Sequence, residues 1–88
     1  MVIQSENDFP ALREKIRDWR KKFSMFRHDV DQIENIIESH IQNYSIALVY
    51  YRQTQKNFYL KQAQEEIDSI NRVVSMAEKM ELMAFLSR

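Results

Sequence analysis

The stretch FSMFRHDVDQIENIIESHIQNYSIALVYYRQTQ, residues 23 to 55, decides whether this chain forms one long helix or folds back on itself. The 88-residue sequence contains no glycine and a single proline. Tight turns and strand hairpins commonly rely on glycine, because glycine tolerates positive φ angles. The composition therefore predicts an all-α protein, and the open question is where its helices end.

Two apolar patterns run along the chain, each at alternating steps of three and four residues, which is the spacing of a coiled-coil seam. The first seam comprises Leu12, Ile16, Trp19, Phe23, Phe26, Val30, Ile33 and Ile37. Asn7 or Asp8 is expected to cap its helix, and Pro10 suits the first turn. The second seam comprises Ile46, Val49, Leu60, Ala63, Ile67, Ile70, Val74, Ala77, Glu81 and Ala84, with Gln53 and Lys56 interrupting it.

The two seams are offset by two heptad positions, a shift that a straight coiled coil does not absorb. Asn43 is suited to end a helix and Ser45 to begin the next. The offset predicts one domain over residues 1–88, an antiparallel two-helix hairpin with coiled-coil-like packing. Its helices are expected at about 8–42 and 46–86, with a turn at about 42–45. One continuous helical rod is the alternative.

Charged residues occur in blocks of alternating sign. Residues 12 to 27 are basic and residues 29 to 38 acidic, while residues 52 to 61 are basic and residues 65 to 68 acidic. A hairpin closing near residue 43 brings opposite blocks together, and exposed ion pairs set register more than stability. The expected facing pairs are Lys21 with Glu66, Lys22 with Glu65, and Asp31 with Lys56.

Composition also argues against several kinds of catalytic site. The absence of cysteine excludes disulfides, thiolate zinc sites and a cysteine nucleophile. Without glycine the chain has no Gly-rich phosphate loop. His28 and His40 do not belong to an HExxH or Glu-x-x-His motif. We expect no enzyme activity, no metal and no cofactor.

A second apolar stripe near the C-terminus suggests what the protein binds. Val73, Met76, Met80 and Met83 lie beside the second seam, with Phe85 close by. One partner helix does not cover both stripes, so we expect a bundle completed by oligomerisation or by a partner. Methionine is used at adaptable binding surfaces. The stripe predicts a non-catalytic protein–protein interaction or assembly module, such as a structural subunit, adaptor or small chaperone. Its partner would be a second copy or a larger helical protein.

The alternative is a nucleic-acid-binding module that uses the basic helix at residues 13–27, where Trp19 and two phenylalanines alternate with cations. Its contacts would be Arg13, Arg17, Arg20, Lys21, Lys22 and Arg27. The same helix also suits an anionic membrane or a calmodulin-type receptor. The aromatic residues lie on the first seam, however, so Trp19 is expected in the core. The formal net charge of zero provides no overall attraction to nucleic acid. No leader or transmembrane segment is visible, and we expect a cytoplasmic protein or part of an assembled particle.

Overall fold

The computed structural model describes residues 1–23 and 27–86, without the side chains of Arg27 and Phe85. A short 3-10 helix at Glu6–Asp8 leads into three α-helices. These are α1 (Phe9–Lys22), α2 (Arg27–Thr54) and α3 (Asn57–Leu86). The described residues form no strand, which confirms the all-α prediction. The predicted seam residue Phe26 lies outside the described residues.

Local side-chain chemistry defines the start of the first helices. The Ser5 hydroxyl accepts a hydrogen bond from the Asn7 N–H at 3.3 Å, and the Asp8 carboxylate accepts one from the Ser5 N–H at 3.4 Å. This reciprocal arrangement is a capping box around the 3-10 helix. Asp8 directly precedes α1 without capping it through its side chain, whereas Pro10 lies in the first turn as predicted.

The predicted turn at about 42–45 is wrong, because α2 passes through these residues without interruption. The Ser45 hydroxyl donates to the Ile41 carbonyl at 3.1 Å, a bond made inside a helix and not at a cap. The chain reverses between α2 and α3, where Gln55 has a φ of 58°. The predicted helix at 8–42 is also wrong, because α1 ends at Lys22 and α2 begins at Arg27.

The turn lies later than predicted because the first seam continues beyond Ile37 along α2. Tyr44 and Ala47 continue its spacing and are buried. Ile46 and Val49, which were assigned to the second seam, are about half exposed. The second seam is buried only from Ala63 onward. The two-position offset therefore arises at the real turn, about ten residues further along the chain.

Ion pairs show that α1 lies antiparallel to α2. Arg13 pairs with Glu38 at 2.9 Å, and Arg20 pairs with Asp31 at 2.7 Å and with Glu34 at 2.9 Å. Residue numbers therefore rise along one helix as they fall along the other. The basic block binds the neighbouring acidic block, and the chain itself provides a third helix, α1, which a two-helix hairpin lacks.

Contacts of α3 complete the bundle. His40 Nδ1 lies 2.5 Å from Glu66 Oε2, and the stacked rings of Tyr50 and Tyr59 are 5.3 Å apart, so α2 and α3 are antiparallel. Lys15 of α1 pairs with Glu78 of α3 at 3.2 Å, and Trp19 contacts Glu81. Residue numbers rise together in these two contacts, so α1 is parallel to α3. The chain forms an elongated bundle of 52 × 18 × 17 Å.

These contacts correct the predicted charge register. Asp31 pairs with Arg20 and not with Lys56, and Glu66 contacts His40 and not Lys21. Lys22 pairs with Asp18 on its own helix at 3.0 Å instead of with Glu65. Blocks of opposite charge do pair, as predicted. The basic residues of α1, however, pair with the acidic block at residues 29 to 38 and not with the one at residues 65 to 68.

All three helices and the N-terminal segment contribute to one apolar core. Ile3 is buried, and its backbone exchanges hydrogen bonds of 2.7 and 2.8 Å with the Asn71 side-chain amide. The most deeply buried large side chains are Ile3, Leu12, Ile16, Ile37, Ile67, Ile70 and Val74. α1 thus covers the apolar face of the α2–α3 hairpin over part of its length. Completion of the bundle by a second chain remains a prediction.

Candidate interaction surfaces

An apolar cleft lies at the end of the bundle where α1 ends and α2 begins, and the C-terminal part of α3 also lines it. Its volume is about 350 Å³. The lining residues are Trp19, Phe23, Asp29, Val30, Ile33, Ala77, Met80, Glu81, Met83 and Ala84. All three helices contribute, so the cleft exists only because the chain breaks between α1 and α2.

The cleft combines a packed floor with an exposed methionine rim. Trp19, Val30 and Ile33 belong to the buried core. Met80 and Met83 remain 42% and 67% exposed within this chain. A floor held by the core keeps its shape, while the unbranched methionine side chains adapt to whatever packs on them. Such a surface fits apolar side chains of varied shape.

Polar contacts hold the Trp19 ring against the cleft. Its indole N–H donates to the carboxylate of Glu81, which lines the same cleft. The Lys15 ammonium lies 5.6 Å from the ring centroid, within the range of a cation–π interaction. Asp29 adds a second carboxylate to the lining. A ligand in this cleft would therefore meet an apolar floor with acidic groups at its edge.

The structure divides the methionine stripe that the sequence predicted as one partner-binding surface. Val73 is partly buried against the core. Met76 is 50% exposed but is not among the cleft residues, whereas Met80 and Met83 are. The side chain of Phe85 lies outside the described residues. Part of the stripe, Met80 and Met83, therefore forms the rim of the cleft. The sequence did not indicate that Phe23, Val30 and Ile33 line the same cleft.

The basic residues of the alternative function are largely paired with carboxylates. The Arg13 guanidinium donates to Glu38 and holds the pKa of that carboxyl below its ordinary value. Arg20 bonds both Asp31 and Glu34, and these bonds raise the pKa of its guanidinium.

The rest of this basic set follows the same pattern. Arg17 pairs with Glu14 and Lys22 with Asp18, while Lys21 is exposed and the Arg27 side chain lies outside the described residues. Trp19 is only 2% exposed, so its faces are closed to base stacking. Most of the positive charge on α1 serves pairing within the protein.

A second apolar region, which the sequence did not predict as exposed, lies toward the α2–α3 turn. The large apolar side chains that remain exposed there are Ile46, Val49, Tyr50, Phe58 and Leu60. Phe58 and Tyr59 are 5.4 Å apart, edge to face. The sequence placed Ile46, Val49 and Leu60 in a seam, and only the position of the turn shows otherwise.

Within the described part of the chain, no group of three or more His, Asp or Glu side chains is placed to hold a metal ion. Across residues 1–23 and 27–86, no helix has the length and apolarity needed to cross a membrane. Comparisons with protein-family models, with curated proteins and with solved structures found no match to this chain.

Proposed function

We propose that this protein is a non-catalytic protein–protein interaction or assembly module that binds a helix from another chain in the cleft rimmed by Met80 and Met83. The supporting observation is the cleft itself, which combines an exposed methionine rim with a buried apolar floor at the end of a packed bundle. Helix binding in such a groove would suit a structural subunit, an adaptor or a small chaperone. The helix would come from a second copy or from a larger helical protein.

The size of the cleft favours side chains of a helix over a whole small protein surface. About 350 Å³ is near the lower limit for ligand pockets and accommodates a few apolar side chains. An amphipathic helix presents such anchors at spacings of three and four residues, which is the helix-in-groove mode of recognition. Burying the exposed half of Met80 would contribute roughly 1 kcal/mol.

Nucleic-acid binding through α1 is the second candidate function. It would depend on the positive charges of α1, so its dependence on salt provides a test. Arg13, Arg20 and Lys22 would have to exchange carboxylate partners for phosphates. Phosphate binding weakens steeply with salt, whereas an apolar helix interface does not. The internal pairing of these cations supports the cleft as the functional surface.

Molecular mass across a range of protein concentrations tests the proposal, with two matched variants. Met80→Glu puts a charge on the cleft rim, whereas Met76→Glu makes the same change on a similarly exposed methionine one turn away. We expect Met80→Glu to weaken association with a second copy, or with an apolar helical peptide, at least about tenfold. We expect Met76→Glu to have little effect.

Both variants should keep the helix content of the parent protein, because the substituted side chains are exposed. Equal loss with Met76→Glu and Met80→Glu would assign binding to the wider stripe. No association of the parent protein with itself or with the peptide would refute the proposal. Salt-sensitive binding to single-stranded nucleic acid, lost in Arg17→Ala, would establish the alternative.

A further inference from the structure

We infer that the groove between α2 and α3 near their turn is a second docking site, and that it binds an acidic amphipathic helix of another protein. This groove, which we call the tip groove, has a volume of about 540 Å³. It is lined by Gln4, Tyr44, Leu48, Asn57, Leu60, Lys61, Ala63, Gln64 and Ile67. The tip groove shares no lining residue with the cleft rimmed by Met80 and Met83.

The tip groove continues an interface that α1 already occupies. Phe9, the first residue of α1, packs edge to face on Tyr44 with ring centroids 5.5 Å apart. α2 extends from Tyr44 to Thr54, roughly 15 Å beyond that contact at the helical rise. Over this length α1 is missing from the side of the hairpin that it covers elsewhere. A helix is the element that packs on the remainder of the same groove.

Some apolar side chains of the tip groove remain exposed to solvent. Leu48 is partly buried against the core, and Ala63 and Ile67 are buried. Leu60 is 45% exposed and Phe58, near the same turn, is 62% exposed. Large apolar side chains that are exposed close together on a small protein mark a surface that another element covers.

Charge identifies the chemistry of the occupant. All of the acidic residues lie outside residues 39 to 64, and that segment carries Arg52, Lys56 and Lys61. None of these three cations forms an ion pair with any residue that the structure describes. Lys61 lines the groove, Lys56 is in the turn, and Arg52 lies one helical turn beyond Leu48. A partner helix bearing carboxylates beside its apolar face complements this surface.

One acidic group approaches the inner end of the groove. The pKa of Tyr44 is raised by burial and by the nearby Glu6 carboxylate, and Arg52 opposes that effect. Glu6 belongs to the 3-10 helix that precedes α1. The negative charge is therefore at the inner end, and the outer end, where a partner helix would lie, is positive.

The same cations and aromatic rings leave a membrane or nucleic acid as competing occupants. The turn itself is polar, with Gln53, Thr54, Gln55 and Asn57 exposed, so insertion of the tip into a bilayer would bury polar groups. The faces of Tyr50 and Tyr59 stack on each other, which reduces the aromatic surface available to bases. An apolar groove along two helices suits a third helix better than either.

A peptide titration of the full chain tests the inference. The probe is a synthetic amphipathic peptide of about 18 residues with leucines on one face and glutamates on the other, long enough to be helical when bound. Its control has lysines in place of the glutamates. We expect the acidic peptide to bind at least about tenfold more tightly than the basic one at low ionic strength, with less difference in about 0.5 M salt.

Two pairs of variants locate the binding. Leu60→Ser should weaken it roughly tenfold, whereas Ile46→Ser, an equally exposed change on the opposite side of α2 and α3, should not. Lys61→Glu should weaken it and Lys79→Glu, on α3 away from the groove, should not. Backbone amide shifts on peptide addition should be largest at Leu48, Leu60 and Ala63.

The result is separable from that of the proposed function, because Met80→Glu should leave the affinity for the acidic peptide unchanged. Absence of saturable binding, equal affinity for the basic peptide, or amide shifts confined to the cleft would overturn the inference. So would tighter binding to a single-stranded oligonucleotide or to anionic phospholipid vesicles. Self-association lost in Leu60→Ser would assign the tip groove to a second copy and overturn it too.

Discussion

Replacing Trp19 with alanine tests whether α1 is an integral part of the bundle. The side chain is 2% exposed, lies in the core and reaches Glu81 on α3. Truncating a buried aromatic side chain of this size costs about 3 to 5 kcal/mol. Domains of this size are stable by about 5 to 15 kcal/mol, so the substitution removes a large fraction of the folding free energy.

Urea unfolding followed by helical circular dichroism measures the loss, and thermal unfolding should show a fall in Tm of roughly 15 to 30 °C. Trp19→Phe is the matched control, because it keeps a ring and removes the indole N–H. Its cost should be about 1 to 2 kcal/mol, since Glu81 is partly exposed and regains water.

A loss below about 1 kcal/mol for Trp19→Ala would refute the packing of α1 described above. Retained stability together with lost affinity for single-stranded nucleic acid would instead support the alternative function.

Three further predictions concern the turn, the continuity of α2 and acid stability. Gln55→Gly should raise the unfolding free energy by about 0.5 to 1 kcal/mol in urea unfolding, because glycine accepts the φ of 58° without steric cost; a loss would place the turn elsewhere. Asn43→Pro should cost about 3 kcal/mol or more, whereas Asn43→Ala should be nearly neutral, because α2 continues through this exposed position; a tolerated proline would restore the turn at 42–45. The hydrogen bond from Arg13 lowers the pKa of Glu38, so its stabilisation is present above the unfolded-state pKa and is lost as pH falls through the lower folded-state value. Unfolding free energy measured against pH should therefore fall less steeply on acidification in Arg13→Gln than in the parent, and identical slopes would contradict the pairing.

The heptad spacing predicted most of the core, because burial follows apolar periodicity wherever one helix face is covered. Leu12, Ile16, Ile37, Ile70 and Val74 were all assigned correctly. The turn was misplaced because the first seam was ended at Ile37, before the polar His40, and Ile46 and Val49 were assigned to the second seam. Tyr44 and Ala47 continue the first seam, and they carry the burial past the predicted turn.

The break between α1 and α2 left little signal in the sequence, because no glycine or proline lies there. The strongest clue was electrostatic: a basic block lies directly beside an acidic one, and Arg20 folds back onto Asp31 and Glu34. The three- and four-residue spacing of apolar residues continues across this break from Trp19 to Val30. The two helices therefore have the sequence pattern of one. The cleft could not be predicted for the same reason, since Trp19 and Val30 converge only after the chain reverses.

Isotope-labelled methionine methyl groups provide the most direct test of helix binding in the cleft. Their NMR resonances can be followed as the protein is concentrated, and as an uncharged amphipathic helical peptide with leucines on one face is added. Helix docking predicts a saturable shift of the Met80 methyl resonance in at least one of these titrations, with Met76 much less affected. A Met80 resonance that stays unchanged in both titrations would contradict the proposal that this cleft binds helices.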